Sequence, residues 1–218
     1  MEPAVEDAFD ESRIDALAVD GYVVINNWLG RSGALGLRGD LILLQSGGCF
    51  VPARIGSGSQ RQEAAVVRGD SICWFDASAS ADACNGRLGV VPGPRVALFL
   101  ARMNVLREHL SRACFLSLAS LECHAACYEP GSFYEEHLDT VGEDSRRVLS
   151  FSHYLSERAL GDAGGCLRMH SDDSAPVDIE PMFDRLVVFR SRSMRHEVMP
   201  VVAQRLSMTG WMSTSARL

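Results

Sequence analysis

The sequence predicts a mainly β protein with supporting helices, and two observations carry that expectation. From Ser117 onward, short segments rich in apolar, β-branched and aromatic residues alternate with turns: LASLECHAACY, SFYEEHLD, RVLSFSHYL, GGCLRMH, PVDIEP, RLVVFR, HEVMPV and RLSMTGWMS. Strands at this spacing predict two facing antiparallel sheets, a sandwich or a barrel. Upstream, residues 31–45 and 95–113 repeat their leucines at helical spacing, so helices are expected against the outside of the sheets. At 218 residues the chain is within the size of one domain and can bury a substantial core.

Residues 1–20 read as a short helix, with Ile14, Leu17 and Ala18 on one face after Ser12 as its cap. Tyr22 to Ile25 is a β-branched run bounded by Gly21 and Asn26-Asn27, an early strand. The helix over 31–45 should end at Gly47-Gly48. CFVPARI and VVRGDSICWF read as strands, and GSGSQRQ between them (56–62) as a mobile loop. Residues 95–113 form the longest expected helix, with His109 on its exposed face. The later strands begin at residue 117.

Composition removes several classes of function. Apolar residues make up 47% and charged residues 22%, as in a soluble globular protein, and no window approaches the roughly 18 uninterrupted apolar residues of a membrane span. The opening stretch lacks the basic and apolar regions of a signal peptide, so the cytosol is the expected compartment. Seven cysteines scattered through the chain suit reduced thiols. Cys123, His124 and Cys127 lack a second pair at zinc spacing and read as strand core. All 21 cationic residues are arginines, so a pyridoxal Schiff base and a P-loop phosphate lysine are both excluded. A net charge of −7 without a basic run argues against nucleic acid, and nothing points to a membrane or to an assembly beyond a monomer.

The chemistry is concentrated between Tyr128 and Trp211. His137 and Asp139, two apart, can share one face of a strand, and His196 follows the apolar run Leu186 to Phe189 on a segment that a neighbouring strand could bring back. Two histidines and one carboxylate on one face of an octahedron leave three positions open, which suits non-haem Fe(II) that must bind a cosubstrate and oxygen together. Arg205, nine residues after His196, offers a fixed bidentate fork for a carboxylate.

These residues, with YEPGSFYEEHLD, SHYL, GGCLRM, IEPMFDRLVVF and RHEVMPVVAQRLSMTGW, resemble the 2-oxoglutarate/Fe(II)-dependent prolyl 4-hydroxylases, closest to the hypoxia-inducible-factor type. The resemblance is dense from about residue 120 to 213 and thinner in GYVVINNWLG, RGDSICWFD and the CNG at 84–86. It implies that the sandwich or barrel is a double-stranded β-helix, or jelly roll, over 117–213. It implies that His137, Asp139 and His196 hold Fe(II), and that Arg205 and Tyr154 bind the distal carboxylate of 2-oxoglutarate. Tyr128 would lie near the metal-bound end of the oxoacid, and Leu167, Val198 and Trp211 would line the pocket and exclude water. Tyr134 would face the substrate proline, Asp70 would pair with Arg147 to steady the base of the loop at 56–68, and that loop would present the peptide. Ser152 departs from the aliphatic residue usual there, making the pocket more polar. His153 should point to the opposite strand face, and His124 and His170 read as structural.

The implied activity is hydroxylation of a prolyl residue at C4 in a cytosolic protein, with 2-oxoglutarate and O2 as cosubstrates, ascorbate as reductant and an oxygen-sensing role. Hydroxylation of free proline or another small molecule is an alternative. A non-catalytic metal-binding module is a second, which the presence of Arg205 and Tyr154 opposes.

Overall fold

The computed structural model describes residues 4–55, 62–63, 67–75, 89–140, 146–157, 164–171 and 175–215. The first half runs α1 (Val5–Ala8), α2 (Glu11–Val19), β1 (Tyr22–Asn26), α3 (Gly30–Ser46), β2 (Val51–Pro52), β3 (Arg54–Ile55), β4 (Gln62–Glu63), β5 (Asp70–Phe75), β6 (Gly89–Val90) and α4 (Pro94–Ala113). The second half runs β7 (Leu118–Tyr128), β8 (Tyr134–His137), β9 (Arg147–Tyr154), β10 (Leu167–His170), β11 (Val177–Ile179), β12 (Arg185–Arg190), β13 (Arg195–Val198) and β14 (Arg205–Thr214). Most of the expected loop at 56–62 and the CNG at 84–86 lie outside the described residues.

The strands form a major sheet ordered β1-β12-β9-β14-β7-β5-β2, with β6 beside β5, and a minor sheet ordered β11-β10-β13-β8. All neighbours on these two paths are antiparallel. This is the jelly roll that the segment spacing and the resemblance together anticipate.

The major sheet is buried on both faces, so β1 and β12 read as nearly continuous apolar runs, while β9 and β14 alternate apolar residues with polar ones. On the outer face, Leu206, Met208 and Met212 of β14 pack with Leu149 and Phe151 of β9 and with Leu37, Leu41, Phe99, Met103, Leu106 and Leu110 of α3 and α4. At about 1.5–3 kcal/mol for each fully buried apolar side chain, these helical residues hold α3 and α4 to the sheet far more firmly than helix propensity does. Pro94 at the first turn of α4 suits a position whose N–H needs no partner. At the centre of β14, Gly210 is needed for space: a Cβ there would run into the Glu122 carbonyl and the Phe151 ring.

The structure corrects three local expectations. The N-terminal helix is two helices, and the cap of the second is Asp10, which accepts from the Arg13 amide at 3.0 Å while Ser12 donates to Asp10 from inside the first turn. His109 is half-buried rather than exposed, its Nε2 lying 3.1 Å from the Phe9 carbonyl and tying α4 to the end of α1. β8 stops at His137, so Asp139 reaches the metal-ligand cluster from the bend after the strand rather than by strand alternation.

Candidate active site

The inward-facing residues of the two sheets meet around His137, Asp139 and His196. His137 and His196 stand directly opposite each other in the β8–β13 pair. Each imidazole is oriented by the backbone two residues before it: His137 Nδ1 donates to the Glu135 carbonyl at 2.7 Å, and His196 Nδ1 to the Met194 carbonyl at 3.0 Å. That leaves both Nε2 lone pairs turned inward, as metal ligation requires. Each Nε2 lies 3.7 Å from a different oxygen of Asp139, and the three ligand atoms all fall within 4.8 Å of one another. Burial, reinforced by His196 alongside, pushes His137 down to about 4, so it is a neutral ligand at pH 7. Burial works to raise Asp139, but His196 and His137, together with the Ser150 and Trp211 side chains, hold the carboxyl below the ordinary carboxylate range. Two imidazole nitrogens and one carboxylate on one side of a point fit a divalent transition metal with open positions opposite.

Tyr134 stacks on His137 with ring centroids 3.7 Å apart and planes 17° apart. Behind it, the Arg68 guanidinium carbon lies 4.3 Å from the Tyr134 centroid. Arg68 in turn forks onto Asp70, Nε to Oδ1 and Nη2 to Oδ2, both at 2.7 Å. The Asp70 side chain is fully buried, and its partner is therefore Arg68 and not Arg147. Arg68 lies two residues before Asp70, at an isolated bridge with Tyr134 just ahead of β5, so its fork reaches the carboxylate over the shorter route. Arg147 instead lies 3.5 Å over the Trp211 ring, donates to the Asp139 carbonyl at 3.0 Å and reaches Glu122 at 3.5 Å. It steadies the backbone that carries the metal-facing carboxylate.

Deeper in the barrel, Arg205 is 2% exposed and its guanidinium carbon lies 5.0 Å and 4.8 Å from the Tyr128 and Tyr154 ring centroids. It has no acidic partner among the described residues, and both Arg205 Nε and the Tyr154 hydroxyl are buried without a hydrogen-bond partner. A desolvated cation with unpaired donors is costly unless an anion completes it, so this end of the pocket fits a carboxylate. Burial keeps Tyr154 protonated, its pKa raised despite the opposing charge of Arg205, so its hydroxyl remains a donor. Leu167 and Val198 face each other across β10 and β13, both buried. His124 is buried between Trp74, at 4.6 Å, and Trp211, at 5.4 Å, a packing role rather than a zinc ligand. On the wall the Ser152 and Thr209 hydroxyls are 3.3 Å apart, which makes this side of the pocket polar.

His153 faces away from the pocket, as alternation requires, and is fully buried with Nε2 2.9 Å from Asp184. Asp184 is a hub: its Oδ1 also accepts from the Leu29 amide at 2.9 Å, and its own amide donates to the Tyr154 carbonyl at 2.9 Å. His170 is tied to Glu197 at 3.0 Å on the outer face of the minor sheet. Arg68 and the His153–Asp184 pair were not anticipated from sequence. Arg68 had a signal, an arginine two residues before an aspartate at a strand start, whereas the other pair joins residues 31 apart.

A jelly roll that gathers two histidines and a carboxylate at its mouth and leaves an unpaired arginine deep inside defines an oxoacid-dependent non-haem iron oxygenase. The description of the 2OG-Fe(II) oxygenase superfamily matches residues 123–213. A prolyl-4-hydroxylase of Pseudomonas putida shares 32% identity and a TM-score of 0.78, covering 94% of this chain and 98% of its own. A prolyl hydroxylase of Trichoplax adhaerens, solved with a hypoxia-inducible-factor peptide, has a TM-score of 0.78 at 26% identity, covering 92% and 87%. The hypoxia-inducible factor prolyl hydroxylase of Caenorhabditis elegans is 27% identical over 207 residues, 92% of this chain but 28% of the worm protein, so the chain spans little more than a quarter of that relative. The chain belongs to the 2OG-Fe(II) oxygenase superfamily, and the proteins it is similar to over most of its length are prolyl hydroxylases. The family's cofactors are Fe(II) and 2-oxoglutarate, with O2 as the second cosubstrate.

Proposed function

We propose that this protein hydroxylates C4 of a prolyl residue in a peptide or protein, coupled to conversion of 2-oxoglutarate and O2 to succinate and CO2. One oxygen atom goes to succinate and the other to the prolyl carbon. His137, Asp139 and His196 would hold Fe(II), which when bound would supply O2 activation and a common binding point for O2 and the oxoacid, the electrons coming from decarboxylation of the oxoacid and from the prolyl C–H bond. Arg205 and Tyr154 orient the oxoacid by its distal carboxylate, and Leu167, Val198 and Trp211 line the pocket, with Tyr128 beside the arginine. The observation that carries the reading is the buried Arg205, which has no acidic partner among the described residues and lies in the same jelly roll as the His/Asp/His cluster, because the distal carboxylate of an oxoacid would complete its charge.

At the mouth, Tyr134, stacked on His137 and backed by Arg68, offers a rigid aromatic wall where a proline ring could pack. Arg147 works on Asp139 from beside that wall, and Asp70 supports the wall through Arg68. A peptide substrate is supported by the Trichoplax neighbour, which was solved with one. No described helix is long and apolar enough to cross a membrane. A monomer acting on a cytosolic protein, with ascorbate keeping the iron reduced and a role in oxygen sensing, completes the reading.

The test is succinate formation by the iron-loaded protein with a library of proline-containing peptides and, separately, with free L-proline. Peptide-dependent succinate, matched by peptides heavier by one oxygen atom on proline, is expected. Turnover of free proline alone would replace the peptide reading with a small-molecule one.

A further inference from the structure

We propose that His153 and Asp184, buried on the helix side of the major sheet, are positioning residues for Tyr154: together they fix the end of β9 so that the Tyr154 hydroxyl is held at the oxoacid end of the pocket. This rests on the oxoacid reading above. Tyr154 is the last residue of β9 and has no exposed surface. A side chain at a strand end is aimed by whatever holds the backbone there. Alternation puts His153, the residue before it, on the opposite face, away from the pocket.

Asp184 grips that strand end twice. Its amide donates to the Tyr154 carbonyl at 2.9 Å, and its Oδ1 lies 2.9 Å from His153 Nε2. The same oxygen accepts from the Leu29 amide at 2.9 Å, and the Asp184 carbonyl accepts from the Trp28 amide at 3.1 Å, so one residue joins the end of β9 to the entry of α3. Asp184 does this from a left-handed backbone, φ 60°, which costs most residues and which aspartate tolerates. Such a conformation persists where its surroundings over-determine it, and here four hydrogen bonds do so.

His153 closes the clamp from the helix side. Its ring stacks on Phe99 of α4, centroids 5.4 Å apart and planes 19° apart, and both His153 and Asp184 are buried. In a low-dielectric interior a hydrogen bond to a carboxylate is strong and leaves little freedom to either partner. One residue further on, the Tyr154 ring lies beside Arg205, its centroid 4.8 Å from the guanidinium carbon. Packing of α3 and α4 on one side of the sheet therefore reaches the oxoacid on the other through a single peptide unit. Loss of the pair would let the end of β9 shift and carry the hydroxyl off line, although neither His153 nor Asp184 faces the pocket.

Binding of 2-oxoglutarate and of 2-oxobutyrate, which lacks the distal carboxylate, is measured by calorimetry on Mn(II)-loaded wild type, His153→Phe and Asp184→Gly, and on each change combined with Tyr154→Phe. Phenylalanine keeps the stack on Phe99 without a donor, and glycine keeps the left-handed turn without the carboxylate. The two variants break the pair from opposite ends, so either one that folds carries the test. Each is expected to lose about tenfold in 2-oxoglutarate affinity, in line with a weakened hydrogen bond to a charged group, and to bind 2-oxobutyrate as wild type does. In the Tyr154→Phe background neither change should cost anything further. Wild-type 2-oxoglutarate affinity in the variants, an equal loss for the two acids, or a loss that adds in full to that of Tyr154→Phe would each overturn the assignment and leave the pair a role in stability alone. A wild type that does not prefer 2-oxoglutarate would instead overturn the oxoacid reading itself, and the positioning role with it.

Discussion

His196 stands directly across the β8–β13 pair from His137, their ring centroids 4.3 Å apart, so the two imidazoles occupy one rung of the minor sheet. The rung is fixed by backbone hydrogen bonds, and Asp139 enters from outside it. Replacing His137, Asp139 or His196 with alanine should weaken Fe(II) binding by at least about 100-fold and abolish turnover. Metal content after gel filtration measures this; iron retained one-to-one in all three variants would remove the triad from the account.

Arg205→Ala tests a different part of the same pocket. Iron content should stay close to wild type, while 2-oxoglutarate affinity falls by about 1.5–3 kcal/mol, roughly tenfold to 150-fold, because the buried carboxylate loses a charge-assisted fork. Equal titration curves for variant and wild type would place the anchor elsewhere.

Arg68 and Asp70 make a buried pair whose members should not be removed singly. Arg68→Ala leaves a fully buried carboxylate without its fork and Tyr134 without its backing, and should cost about 3 kcal/mol in urea unfolding. The double variant Arg68→Met, Asp70→Leu should lose much less, since it removes the uncompensated charge as well. Additive losses in this cycle would show that the two residues act independently.

Acid should loosen the fold through His153. Burial lowers its pKa, Arg102 acting in the same direction and Asp184 in the opposite one. Because the folded value lies below the unfolded one, near 6.5, the unfolded chain binds more protons in between, so stability is full above that pH and declines as pH falls through it. The urea midpoint of wild type should therefore drop on acidification from pH 8 to pH 5, and that of His153→Gln should drop less. Parallel curves would assign the pH dependence to other groups.

The parts of this protein that were legible in sequence are those where chemistry dictates residue type. The His/Asp/His set and Arg205 can be read because few other residues ligate iron or fork onto a carboxylate, and the β-segments because one face of the major sheet must be apolar against the helices while β1 and β12 are apolar throughout. Pairings were less accessible. The likeness to other proteins pairs Asp70 with Arg147, whereas Arg68, two residues earlier in sequence, is the partner it meets. His153 and Asp184 meet only because β9 and the turn before β12 converge, which no local pattern encodes.

The strand that comes last in sequence lies in the interior of the major sheet, β14 between β7 and β9. During synthesis from the N-terminus, the facing edges of β7 and β9 must wait unpaired until that segment emerges, and Arg205, Ser207 and Trp211 arrive with it. Arg205, the proposed anchor of the oxoacid, is thus seated only when β14 closes the major sheet between β7 and β9. A one-residue slip in seating β14 would turn Leu206 inward in place of Arg205. The tight seat of Gly210 between the Glu122 carbonyl and the Phe151 ring opposes that slip. Chain closure and cosubstrate competence are the same event, so a misregistered protein would be blind to the oxoacid rather than merely slow.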